Sequence, residues 1–293
     1  MVTFKDALRI CEEIEPGSTE QFRELPKISV VGCFQNGKST FINCLLNDLV
    51  ARPGDGRATT KISTRYRWGE STNVNFRTNQ GLQSVSLREY LKCINLSQIS
   101  EDSAFQAEIT LNKQILKKIE LIDTPGFNAE ERDTEYVTRS LDEANYAIVV
   151  LTNERTLGEA ESAMFECIKS KSIPYAIIMN CRNINTPMEW YPSHKKNIEI
   201  IKTNEAKLEQ WGYFPDKIDG HLIYPCNLLW YWFAVKHKNF SFLSSDGFEE
   251  DLADQIEFSF MLKREVYSKE NIIDVSNFVK IKSFFIDRLA YIN

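Results

Sequence analysis

Short apolar runs alternate with amphipathic stretches along the chain. Lys27–Val31 (KISVV) is a continuous apolar run ending at a glycine, which predicts a buried strand. Residues 39–49 follow with Phe41, Ile42, Leu45, Leu46 and Leu49 at helical spacing, so that strand leads directly into a helix. Residues 52–61 are rich in Gly, Pro and Thr and predict a loop. Residues 64–68 and 73–76 alternate as strands do, 84–99 carries a helical pattern, and 107–111 and 118–122 predict a pair of strands. Further on, 146–151 (YAIVVL) and 174–179 (PYAIIM) predict buried strands, with a helix between them at 159–170. A polar helix at 194–211 and a short strand at 222–224 come next. From residue 228 onward the pattern is helical: an aromatic segment, an acidic segment at 247–264, and a last helix at 276–292.

Apolar strands separated by helices predict an α/β fold whose mostly parallel sheet is covered on both faces. The domain division expected is an N-terminal helix over residues 1–24, with Phe4, Leu8 and Cys11 on the face that packs on the core, and one domain over 25–293. The latter includes a helical part from about residue 228. The aromatic run 228–233 is most simply a helix packed under the sheet, and the acidic run most simply a solvated face.

The first strand ends in Gly32-Cys33-Phe34-Gln35-Asn36-Gly37-Lys38-Ser39, followed by Thr40, and this matches the GxxxxGK[ST] phosphate-binding pattern between a strand and a helix. Glycines let the backbone wrap its N–H groups around a phosphate, and the helix N-terminus adds partial positive charge. Lys38 is placed to reach the β- and γ-phosphates, and the Ser39 hydroxyl to bind Mg²⁺. A second strand ends in Asp123-Thr124-Pro125-Gly126, where an aspartate can hold Mg²⁺ through water and a glycine N–H can sense a γ-phosphate. Between the two motifs lies a polar loop with Thr59 and Thr60. A threonine there can close on the metal and the γ-phosphate; a polar loop in which Thr is simply common is the plainer reading.

Composition narrows the partners. With 35 Lys+Arg against 41 Asp+Glu the chain carries a formal charge of −6 and has no basic run, which argues against DNA and against adsorption to anionic lipid. Seven cysteines without a CxxC fit a reducing cytoplasm rather than a disulfide framework, and three scattered histidines argue against a zinc site. Charges from Lys5 onward rule out a signal peptide, and no apolar stretch approaches the roughly 18 residues a membrane span needs.

The motif residues resemble the P-loop GTPase superfamily, and within it the dynamin-like and bacterial dynamin-like branch. The cues are Phe34 inside the phosphate loop, a double threonine after a Pro/Gly-rich loop, and the long stretch before Asp123–Gly126. The resemblance covers about residues 25–292. It implies a three-layer P-loop NTPase fold with extra helices at both termini, GTP/GDP and Mg²⁺ as ligands, and Lys38, Ser39, Thr59 or Thr60, Asp123 and Gly126 as phosphate and metal contacts. It also implies a monovalent cation near Gln35, and a nucleotide-dependent homodimer or protein partner.

Two departures bear on the activity. The base-reading pattern [NT]KxD falls at Asn180-Cys181-Arg182-Asn183. Asn180 can tether the phosphate loop and Arg182 can lie over the base, but the aspartate that accepts two guanine donors is replaced by Asn183. The last base motif falls at Cys226-Asn227, also non-standard. The position after Gly126, where some superfamily members carry a water-orienting glutamine, is Phe127. Alternatives therefore stay open: a GTP-hydrolysing switch, a nucleotide-binding regulatory or scaffold subunit with little hydrolysis, and a GTPase acting on ribosomes or RNA, against which the net acidity weighs. The chain stops soon after the GTPase-type region, so membrane remodelling by this polypeptide alone is not expected.

Overall fold

A computed structural model describes residues 24–51, 63–78, 81–92, 107–127, 131–182, 191–236 and 268–292. The strands are β1 (Lys27–Val31), β2 (Thr64–Trp68), β3 (Asn73–Thr78), β4 (Gly81–Val85), β5 (Ala107–Leu111), β6 (Glu120–Asp123), β7 (Tyr146–Thr152), β8 (Tyr175–Asn180) and β9 (Ile223–Cys226). The helices are α1 (Lys38–Leu46), α2 (Leu87–Lys92), α3 (Glu131–Glu143), α4 (Glu159–Ser170), α5 (Lys195–Trp211), α6 (Leu228–Lys236), α7 (Lys269–Val275) and α8 (Phe278–Ile292). The strands form a single sheet in the order β4-β3-β5-β2-β6-β1-β7-β8-β9. From β6 through β1, β7 and β8 to β9 every pairing is parallel. The β2–β5 pair is parallel internally and meets β6 antiparallel, and β3 pairs antiparallel with both β4 and β5.

Strand alternation divides the core into two layers. On β1, Ile28 and Val30 face one side with α1, α6, α7 and α8. Val31 faces the other with α3, α4 and α5, and Ser29 on that side meets Ser140 of α3 at 3.0 Å. The architecture is thus the three-layer α/β arrangement expected. Helix α6 carries the aromatic run, and Leu228, Trp230, Tyr231, Trp232 and Phe233 are all buried against the sheet and its neighbours. Each such side chain contributes roughly 1.5–3 kcal/mol when fully buried. Phe41 of α1 packs edge-on against Phe278 and at a tilt against Phe285 of α8, which ties the phosphate-loop helix to the C-terminal one.

The structure departs from the expected elements in four places. The pattern at 84–99 begins as strand: Ser84 and Val85 end β4, which starts at Gly81 (φ +110°) and pairs antiparallel with β3. Helix α2 then starts behind a capping box, with Ser86 Oγ accepting from Glu89 N–H and the Glu89 carboxylate accepting from Ser86 N–H. Residues 93–99 lie outside the described residues. Strands β5 and β6 do not pair, because β2 lies between them. Helix α3 was not foreseen, although Tyr136, Val137, Ser140 and Leu141 form a buried helical stripe. The strand read at 222–224 runs instead from Ile223 to Cys226, set by its register against Ile177–Asn180. The expected N-terminal helix at 1–24 and the acidic segment at 247–264 fall essentially outside the described residues.

Candidate nucleotide site

The site lies at the carboxyl ends of the parallel strands, where β1 passes into α1. Gly37 has φ +98°, in the left-handed region, and a Cβ there would sit 2.5 Å from Asn180 Nδ2. Only glycine turns the chain into α1 here while Asn180 stays in place. Phe41 N–H then donates to Gly37 O at 2.8 Å, the first bond of the helix. Within the loop Gln35 is also left-handed (φ +62°) and exposed. The buried Asn36 side chain donates to Val150 O of β7 at 2.8 Å.

Lys38 is buried, and its ammonium bonds Gly32 O (3.0 Å) and Cys33 O (3.1 Å), so the charge lies along the loop. Ser39 and Thr40 follow in the first turn of α1. Ser39 Oγ donates to Asp123 Oδ2 at 2.9 Å. The other oxygen, Asp123 Oδ1, is buried without a hydrogen-bond partner. Burial pushes the Asp123 carboxyl up to about 6, against the opposing pull of Lys38 and the Ser39 bond. A half-satisfied buried carboxylate beside a hydroxyl is a donor set a hard cation fits. Among the described residues no three His, Cys, Asp or Glu side chains cluster to hold a metal.

The segment after β6 is laid on the loop. Thr124 Oγ1 donates to Val30 O at 2.8 Å, and Phe127 N–H donates to Gly32 O at 3.1 Å. A Cβ on Gly126 would stand 2.7 Å from Phe34 Cα, so the two motifs touch through backbone. Phe34 is 37% exposed, whereas Phe127 is buried with α3 and α4. Thr59, Thr60 and Asn183 lie outside the described residues.

On the side expected to meet the base, Asn180 is buried at the end of β8. Its Nδ2 donates to Asn36 O and its Oδ1 accepts from Leu228 N–H, each at 3.3 Å. The Arg182 side chain is partly buried, with Nε 3.9 Å from Glu154, and burial lowers its pKa. Cys226 is fully buried in register with Asn180. Asn227 is also buried and caps α6, Oδ1 accepting from Trp230 N–H at 3.0 Å. Both side chains are thus engaged in the interior.

Three residues absent from the sequence reading support this end of the sheet. Buried Glu161 on α4 accepts from Cys33 Sγ (3.3 Å) and Arg155 Nη2 (2.9 Å) through Oε1, and from Gly158 N–H (3.0 Å) through Oε2. The spacing from Gly158 to Glu161 is the visible signal, since a Glu three residues into a helix reaches back to its start. Burial and then Glu161 push the Cys33 thiol up to about 12. Asn153 and Asn197, both fully buried, are joined at 2.8 Å. A separate hollow of 490 Å³ lined by Leu25, Arg67, Trp68, Lys117 and Glu120 lies beside the start of β6, at the other end of the sheet.

Fold and site together define a P-loop protein of the GTPase type. The chain belongs to the dynamin family, whose sequence profile matches residues 28–178, from β1 into β8. Two solved structures of an oligomerised bacterial dynamin pair, described as a mechanism for long-range sensing and tethering of membranes, are similar at 15% and 16% identity, with TM-scores of 0.49 and 0.48. Each likeness covers 97% of this chain and 38% of the other, so this chain spans well under half the length of those relatives. Aquifex aeolicus Era bound to GDP and aluminium fluoride is similar over 69% of this chain and 51% of its own, at 16% identity and a TM-score of 0.40. No curated protein matches the chain.

Proposed function

We propose that this chain is a Mg²⁺-dependent, GTP-binding and GTP-hydrolysing switch. The observation that carries the reading is the 2.9 Å pair of Ser39 Oγ and Asp123 Oδ2 beneath a phosphate-type loop, with Asp123 Oδ1 buried and unbonded. A bound Mg²⁺ would supply charge neutralisation on the β- and γ-phosphates. The chain's own groups do the rest. Ser39 and Asp123 hold the cation, the loop N–H groups and the start of α1 hold phosphate, and Lys38 turns from Gly32 and Cys33 carbonyls to phosphate oxygens. Thr59 or Thr60 closes over the γ-phosphate, and Gly126, pressed on Phe34, carries its presence into the segment leading to α3. The scattered thiols fit a cytoplasmic location, and among the described residues no helix is long and apolar enough to cross a membrane.

Phe127 presents no polar group and is buried. Water orientation therefore falls to the exposed Gln35 region and a monovalent cation, completed when a second nucleotide face docks on the exposed Phe34. Turnover per chain is expected to rise with protein concentration; a rate that stays flat across a wide titration overturns the self-association step. The buried Phe127 also favours a second reading, a nucleotide-binding regulatory or scaffold subunit with little hydrolysis. Phosphate release at high protein concentration separates the two. Affinities for GDP, XDP and ADP settle the base, where Asn183 in place of aspartate predicts a reduced preference for guanine over xanthine.

A further inference from the structure

Eight residues, 183–190, separate Arg182 from Tyr191, and both flanking residues are held by the same pair of buried amides. Asn153 follows β7 and Asn197 lies in the first turn of α5, and neither side chain is exposed. Asn153 Oδ1 accepts from Arg182 N–H at 3.0 Å. Asn153 Nδ2 donates to Asn197 Oδ1 at 2.8 Å, and Asn197 Nδ2 donates to Tyr191 O at 2.8 Å. Only one orientation of the two amides satisfies this chain, because Arg182 offers a donor at one end and Tyr191 an acceptor at the other. The Tyr191 ring stands edge-on to Trp230 at 4.8 Å, so the far end is anchored to α6 as well.

We propose that Asn153 and Asn197 are positioning residues for base recognition: together they fix the chain at Arg182 and Tyr191, and so set how the end of β8 meets the purine. The proposal rests on the nucleotide-site reading and assigns it two residues that no phosphate contact requires. The phosphate loop is held by other bonds, from Asn36 to Val150 and from Asn180 to Asn36. Loosening the amide pair should therefore weaken contacts to the base and leave contacts to phosphate alone. A purely structural role would weaken both.

The test uses the full chain with Mg²⁺ and two probes, GDP and inorganic tripolyphosphate, which has the charge but no base. Losing a buried hydrogen bond in the base-side segment corresponds to about a tenfold loss in affinity. Asn153→Ala and Asn197→Ala are each expected to weaken GDP by about that factor and tripolyphosphate by less than about twofold. The double variant should be little worse than either single one, because each breaks the same link. If Asn153→Ala fails to fold, Asn153→Asp keeps the acceptor for Arg182 N–H but loses the donor to Asn197. It should show the same split at smaller size. GDP and tripolyphosphate weakening in parallel, or neither moving, overturns the proposal. Wild-type protein that binds neither probe sinks the nucleotide reading itself, and Lys38→Ala, which should lose both, shows that the assay reports the phosphate site.

Discussion

The two halves of the site are held by different means. On the phosphate side the two motifs meet each other through backbone: Gly126 lies against Phe34, Phe127 N–H meets Gly32 O, and Gly37 turns the chain into α1. On the base side the contacts are amide side chains, with Asn180, Asn153 and Asn197 each bridging separate elements and Asn227 capping α6. Backbone geometry tolerates almost any side chain that fits and requires glycine where none fits. An amide bridge depends on one residue type in one orientation. The phosphate side therefore adheres to its motif, and the base side is where this chain departs from one.

The largest effect should come from the charge on the phosphate side. Lys38→Ala removes the buried ammonium proposed above to bind phosphate, with an expected cost of about 3 kcal/mol or more of binding. That is at least about a hundredfold in GDP affinity by calorimetry. Unchanged affinity would end the assignment of the site.

Next is a pH effect confined to Asp123. Its carboxyl is raised from 3.8 to about 6, chiefly by burial. Between those values the folded chain holds a proton that the unfolded chain has released. The group's stabilising contribution is thus complete below about pH 4 and lost as pH rises through about 6, up to about 3 kcal/mol in all. Urea unfolding of the nucleotide-free protein should show stability falling across that window. Asp123→Asn should flatten the fall, and so should Mg²⁺ with nucleotide, which compensates the ionised carboxylate.

Gly37→Ala tests where the halves meet. Its Cβ would stand 2.5 Å from Asn180 Nδ2, and the left-handed φ adds strain of about 1–2 kcal/mol. With Asn180 displaced, the total should reach about 2–3 kcal/mol of lost stability, read as a lower denaturation midpoint. A neutral result would mean that Asn180 does not lock the loop.

The same contrast explains what was readable from residues alone. The pairing of Ser39 with Asp123 was legible because each motif ends an apolar strand, and parallel strands β1 and β6 bring those ends together. The sheet covered on both faces followed from continuous apolar strands separated by helices. Asn153 and Asn197 were not legible, since they lie 44 residues apart and only the order β7-β8 with α5 across it joins them. The 84–99 pattern misled because only Ser84 and Val85, the last residues of an edge strand, fall within it, too few to show a strand period before the helix begins. The Ser86-x-x-Glu89 box marked the true helix start. Helix α3 was overlooked because its polar residues outnumber the buried stripe that defines it.

The smallest effect sharpens the base side. Motif position assigns Asn227 to the base, yet its side chain caps α6 through Trp230 N–H. If capping is its whole role, Asn227→Ala should cost about 1 kcal/mol of stability, as N-cap losses do. Asn227→Asp, which keeps the acceptor, should cost less. The ratio of GDP to XDP affinity should stay unchanged in both, because the cap sits inside the protein and the backbone bond from Asn227 N–H to Ser276 O survives either change. A shifted ratio would place the Asn227 side chain within reach of the purine and return the residue to the binding site. An unchanged ratio here, beside weakened GDP and retained tripolyphosphate binding in the Asn153 variants, would divide the buried asparagines at this end of the sheet into those that hold the fold and those that aim the base.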